Sequence, residues 1–178
     1  MIEVRFHGRG GQGAVTAAEL LAVAVGHYGK YSKSFPFFGV ERRGAPVQAF
    51  CRIDDKPIRI HQNVVSPNIV VVLDATLMDN VDVTEGLENK GLIIINTSKE
   101  SKEFLLGDYK IVTVDATNIA YKNLSVPIVN TAILGVFEKL VDWVNVDSLE
   151  KAINERFDEK LALKNINAMK QCANEVRI

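Results

Sequence analysis

Apolar and polar residues alternate through Ile2-Glu3-Val4-Arg5-Phe6, the period-two pattern of a short strand. A glycine cluster over residues 8–13 ends it. Residues 14–25 follow as an Ala- and Leu-rich run that is apolar nearly all round, which predicts a buried helix packed close to a sheet and ending near Gly26 or Gly29. Residues 30–46 are rich in aromatics, glycine and charge without a helical period. They predict a strand and then a long loop, and long loops in compact domains usually carry function. Residues 47–53 and 57–60 flank the turn-like triplet Asp54-Asp55-Lys56 and predict a hairpin.

Residues 68–74, 91–96 and 110–115 are continuous, largely β-branched runs, as strands buried on both faces read. Each closes on Asp74, Asn96 or Asp115 and then Ala or Thr, as a parallel strand does where it turns into a helix N-cap. Helical patterns fill the gaps and continue from about residue 128 to the C-terminus. Asp147-Ser148-Leu149-Glu150 reads as a capping box, with Leu149, Ile153 and Phe157 on one stripe. Asp158 is placed to cap a last helix burying Ala162, Ile166, Met169 and Ala173. No linker, repeat or break in composition divides residues 1–178, so one domain is expected. The predicted fold is α/β, a three-layer Rossmann-like arrangement: a mostly parallel sheet with helices on both faces and a β-hairpin insertion.

Composition narrows the chemistry. With 178 residues and 47% apolar content the chain can bury a sizeable core, and a net charge of −1 gives no bulk attraction to nucleic acid or an anionic membrane. Its two cysteines, Cys51 and Cys172, and the scattered His7, His27 and His61 supply neither the four thiolates of a cubane cluster nor a four-ligand zinc site. No metal site is expected. No stretch reaches the roughly 18 apolar residues of a membrane-spanning helix. The first residues lack a basic leader before an apolar run. A cytoplasmic chain is expected.

Gly8-Arg9-Gly10-Gly11-Gln12-Gly13 fits GxGxxG between a strand and a helix, where backbone N–H groups at a helix N-terminus can approach an anion. A dinucleotide site also wants an acidic residue about 20 positions on. That spacing holds Ser32, Lys33 and Ser34, and the next acid is Glu41, which argues against a nicotinamide or flavin dinucleotide. The loop can serve close strand-to-helix packing alone, but packing does not require Arg9, whose guanidinium suits phosphate or carboxylate. His7, Asp74 and Asp115 each have a structural reading, as a strand-end histidine and as helix caps.

The loop GRGGQG and the segment FPFFGVERRGAPV over residues 35–47 together resemble the gamma subunits of 2-oxoacid:ferredoxin oxidoreductases, of the pyruvate (pyruvate synthase) type. Further matches are Val71-Val72-Leu73-Asp74 and Asn130-Thr131-Ala132-Ile133-Leu134-Gly135, and the resemblance spans roughly residues 2–140. It implies a subunit of an enzyme that converts pyruvate, coenzyme A and oxidised ferredoxin to acetyl-CoA, CO2 and reduced ferredoxin, reversibly. Thiamine diphosphate, magnesium and [4Fe-4S] clusters would then lie in the alpha, beta and delta subunits, leaving this chain with no cofactor of its own and no catalytic residue acting alone. Gly8, Arg9, Gly10, Gly11, Gln12, Gly13, Arg42, Arg43, Asn130 and Thr131 become candidates for a coenzyme A or anion site at the active-site edge. Phe35, Phe37, Phe38 and Glu41 become candidates for a subunit interface, since aromatic and Arg residues anchor such surfaces. Another 2-oxoacid (2-oxoisovalerate, 2-oxoglutarate or indolepyruvate) stays open as substrate. A rival of another class is a stand-alone nucleotide-binding or regulatory Rossmann-like module.

Overall fold

The computed structural model describes residues 1–37, 44–60 and 62–178. Six strands form one sheet in the order β2-β3-β1-β4-β5-β6: β1 Ile2–Arg9, β2 Tyr31–Phe37, β3 Pro46–Asp54, β4 Ile69–Val72, β5 Leu92–Asn96 and β6 Lys110–Val114. β1, β4, β5 and β6 pair in parallel, while β3 runs antiparallel to both β1 and β2. The mostly parallel sheet with a hairpin insertion is thus present.

The hairpin is formed by other residues than the pattern suggested. β2 pairs with β3 from Tyr31 opposite Asp54 to Phe37 opposite Gln48, and residues 57–60 form no strand. Proline at position 57 removes a ladder donor just after the turn, whereas residues 31–37 present a full strand length to β3.

Alternation along β1 decides what each face receives. Val4 and Phe6 point into the larger core, shared with Ala17, Leu21 and Val25 of helix α1 (Ala14–Tyr28). Three further helices, α2 (Ala116–Leu124), α4 (Val146–Arg156) and α5 (Glu159–Asn174), contribute to the same core. A short helix, α3 (Gly135–Leu140), begins where a Cβ on Gly135 would lie 1.9 Å from the Met169 carbonyl oxygen. Only glycine lets this turn touch α5. On the opposite face Val70, Val72, Ile93 and Ile95 pack with Val83 and Leu87. This layer is built from 3₁₀ helices at Ala75–Asp79 and Ser101–Glu103 and the adjoining loops, where longer helices had been expected between the strands.

The polar side of β1 is buried as well. Arg5 is held by two carbonyls, with Nη2 donating to Val83 O at 3.1 Å and to Glu85 O at 2.7 Å. Glu3 and Arg52, cross-strand partners, form a shielded ion pair at 2.6 Å. His7, 3% exposed, leaves Nε2 without a hydrogen-bond partner among the described residues; burial first, and Arg5 second, push its pKa down to about 3.

Helix ends follow local chemistry with one shift. Asp158 caps α5, accepting from Leu161 N at 3.0 Å, and Ala162, Ile166, Met169 and Ala173 are buried. The α4 capping box is instead Asn145 with Ser148, two residues before the one read at Asp147. Asn145 Oδ1 accepts from Ser148 N, while Ser148 Oγ accepts from Asn145 N. Either residue type caps well, and burial of Leu149 and Ile153 sets the helix phase that selects Asn145. Both cysteines are free and buried.

Candidate functional site

The glycine loop leaves the C-terminal end of β1 beside the end of β4, an edge where open α/β sheets carry ligands. Its turn is closed from within, as Arg9 N donates to Gln12 Oε1 at 2.7 Å and Gln12 N donates to Arg9 O at 2.9 Å. Gly11 and Gly13 hold φ of 94° and 79°, in the left-handed region that side chains disfavour. At Gly13 space is the second constraint, because a Cβ there would meet Asn130 Nδ2 at 2.3 Å. Two of the candidate residues, distant in sequence, are therefore neighbours. Asn130 Oδ1 accepts from Thr131 N at 2.8 Å, which fixes the carboxamide against the loop.

Arg9 reaches outward along the sheet edge. Its Nε donates to Asp74 Oδ2 at 3.0 Å, Nη2 to Thr76 Oγ1 at 2.9 Å and Nη1 to Gly44 O at 3.3 Å. Gln12 Nε2 donates to the same Asp74 oxygen at 3.0 Å. Burial alone would raise the Asp74 pKa, but hydrogen bonds from Thr76, Gln12 and Arg9 outweigh it and hold the carboxyl below its usual range. The loop is also clipped to the start of the hairpin strand, through Gly10 N to Ala45 O at 2.9 Å and Gly44 N to Gly10 O at 3.2 Å. Arg9 is thus a fixed, half-buried cation with donor capacity remaining at both terminal nitrogens.

Beside the loop a cleft of about 510 Å³ opens over the ends of β4, β5 and β6, lined among others by Gln12, Asp74, Asn96, Asp115 and Thr117. Asp74 and Asp115 cap the following turns, as the sequence suggested. Asn96 does more: its Nδ2 donates to Leu73 O at 2.8 Å and its Oδ1 accepts from Thr117 N at 3.1 Å, tying the ends of β4 and β5 to the first turn of α2. The cleft is rich in acceptors, whereas the loop beside it is rich in donors. Asn96 was read only as a strand-end cap and Thr76 was not singled out, because the sheet brings Leu73 and Thr117 to the one and Arg9 to the other. Asp74 was read as a cap, without its link to Arg9.

Of the proposed interface residues, Phe35 packs on Phe50 at 5.3 Å between ring centroids and lies under the Arg52 guanidinium at 5.0 Å. Phe37 is 42% exposed and meets Phe50 edge-on. Phe38, Glu41, Arg42 and Arg43, like His61, lie outside the described residues. Among the described residues no group of three or more His, Cys, Asp or Glu side chains could hold a metal ion, and no helix is long and apolar enough to cross a membrane.

The family model described as pyruvate ferredoxin/flavodoxin oxidoreductase matches residues 3–175. The chain belongs to the pyruvate ferredoxin/flavodoxin oxidoreductase family. It is 54% identical to the pyruvate/ketoisovalerate oxidoreductases common subunit gamma of Thermococcus kodakarensis, over 98% of this chain and 97% of the relative. It is also 54% identical to the pyruvate synthase subunit PorC of Methanothermobacter thermautotrophicus, over 99% and 96%. The crystal structure of the pyruvate oxidoreductase subunit PORC of Thermotoga maritima superposes with a TM-score of 0.87 at 36% identity, covering 99% of this chain and 97% of that one. In this chain the glycine loop lies between Asn130, which packs on Gly13, and the acceptor-lined cleft, which Gln12 borders.

Proposed function

We propose that this chain is the gamma subunit of a pyruvate:ferredoxin oxidoreductase, packing on thiamine diphosphate-binding subunits and forming part of the coenzyme A site at the edge of the active site. The likeness to gamma and PorC subunits over nearly their whole length supports the subunit reading. The observation that carries the coenzyme A reading is the pairing of a cationic glycine loop with an acceptor-lined cleft. Phosphates are repelled by Asp74 and Asp115, so they belong at Arg9 and the N-terminal turn of α1, where donors and the helix dipole favour anions. Hydroxyl and amino groups, as on a ribose or an adenine, suit the acceptors Asp74 and Asp115. Phe37, 42% exposed, belongs to the surface that meets the partner subunits, and the complex works in the cytoplasm. Alpha, beta and delta subunits, carrying thiamine diphosphate, magnesium and [4Fe-4S] clusters, complete the enzyme, with ferredoxin as electron acceptor. The test is anaerobic affinity purification of the chain from its host, followed by assay of pyruvate- and coenzyme A-dependent viologen reduction. A cluster-containing complex with that activity is expected; a lone chain binding a dinucleotide would overturn the reading.

A further inference from the structure

A second cavity, of about 280 Å³, lies where the first turn of α1 meets the start of α5 and the connection after α2. Leu124, Val126, Ile128, Phe157 and Leu161 make its walls apolar, and its polar lining is Thr16, Asn130, Asn165 and Arg156. Nothing in the glycine-loop network uses these walls. The size sits near the roughly 300 Å³ lower bound of small-molecule sites. Apolar side chains at its mouth stay in solvent, with Val126 42% and Ile128 47% exposed.

Two side chains supply donors at the cavity. Arg156, the last residue of α4, is exposed and makes no hydrogen bond or ion pair among the described residues. Asn130 is 7% exposed, and its Nδ2 donates to no group among the described residues; the carboxamide lies between the α1 N-cap Gly13 and this cavity. Among the described residues no carboxylate lines the cavity. A neutral head group can accept from these donors, but only an anion adds charge complementarity to Arg156, and a cation would be repelled by it.

We propose that this cavity binds a small amphipathic anion: an alkyl or acyl chain lying against Leu124, Ile128, Phe157 and Leu161, with a terminal carboxylate or phosphate at Arg156 and the Asn130 amide. The site touches the glycine-loop edge at Asn130 but uses none of Arg9, Gln12 or Asp74, and it stands whether or not the coenzyme A reading holds.

Calorimetric titration of the full chain with octanoate, octyl phosphate and octanol tests it. Saturable one-to-one binding of at least one anion is expected, about tenfold or more tighter than octanol, as one charge-assisted contact provides. The tighter anion identifies the head group. Arg156→Gln, a change at an exposed and unpaired side chain, should bring anion affinity down to the octanol level and leave octanol unchanged. Leu161→Asp, at a side chain 39% exposed, should abolish anion binding while the melting temperature holds. Absence of saturable anion binding, equal affinity for octanol, or an Arg156→Gln variant that binds as the parent does would each overturn the proposal.

Discussion

Arg9 and Asp74, 65 positions apart, are joined by a hydrogen bond of 3.0 Å from Nε to Oδ2 across the ends of adjacent parallel strands. The contact fixes the glycine loop to the sheet and sets a cation beside an acceptor-lined cleft. Asp74→Ala removes the shared acceptor of Arg9 and Gln12 and should cost about 1–2 kcal/mol, the lower part of the range for charged hydrogen bonds because the pair is part-exposed. Because the Asp74 carboxyl is held below its usual range, this advantage is present above about pH 4 and fades as pH falls through the lower folded value. Denaturant unfolding at pH 7 and pH 3 measures both parts; equal stability of variant and parent at pH 7 would contradict the account.

Gly11 and Gly13 share positive φ but differ in surroundings, and this separates two costs. Gly11→Ala meets none of the described residues within 4 Å and should lose about 1 kcal/mol from backbone strain alone. Gly13→Ala must also displace Asn130, whose Cγ and Cβ lie 3.0 and 3.2 Å from the new atom, and should lose at least about 1 kcal/mol more. Thermal unfolding of the two variants ranks them, and the opposite order would refute the close contact.

His7 stays neutral in the folded chain down to about pH 3, whereas the unfolded chain protonates it near 6.5. Unfolding therefore takes up a proton between those values, so stability falls as pH drops through that window. Going from pH 7.5 to 5 should cost about 2 kcal/mol through this residue. His7→Leu should lose correspondingly less over the same interval; parallel losses in parent and variant would show that His7 is not the titrating group.

At α4 the cap is Asn145. Asn145→Ala should destabilise by about 1 kcal/mol, while Asp147→Ala, which removes no cap, should stay within about 0.5 kcal/mol. Urea midpoints distinguish them.

The strands β1, β4, β5 and β6, the helix after the loop and the α5 cap were legible because each is written in local periodicity and punctuation. The partner of β3 was not. Residues 57–60 look as strand-like as 31–37, and only the sheet as a whole decides which segment pairs. In the site, the glycine loop and Asn130 were named from motifs, but their contact at Gly13 arises from the fold. The tie from Asp74 to Arg9 is of the same kind, since a cap and an ion-pair partner read alike until strand order is known.

The most direct test of the central claim is the dependence of the assembled enzyme on coenzyme A when Gly11 carries Asp. This residue is exposed and no described residue lies within 4 Å of a Cβ there, so the complex should form, while the added negative charge would repel the anion proposed at the loop. The account predicts an apparent KM for coenzyme A raised about tenfold or more with the KM for pyruvate unchanged. An intact complex with both constants at the parent values would contradict it.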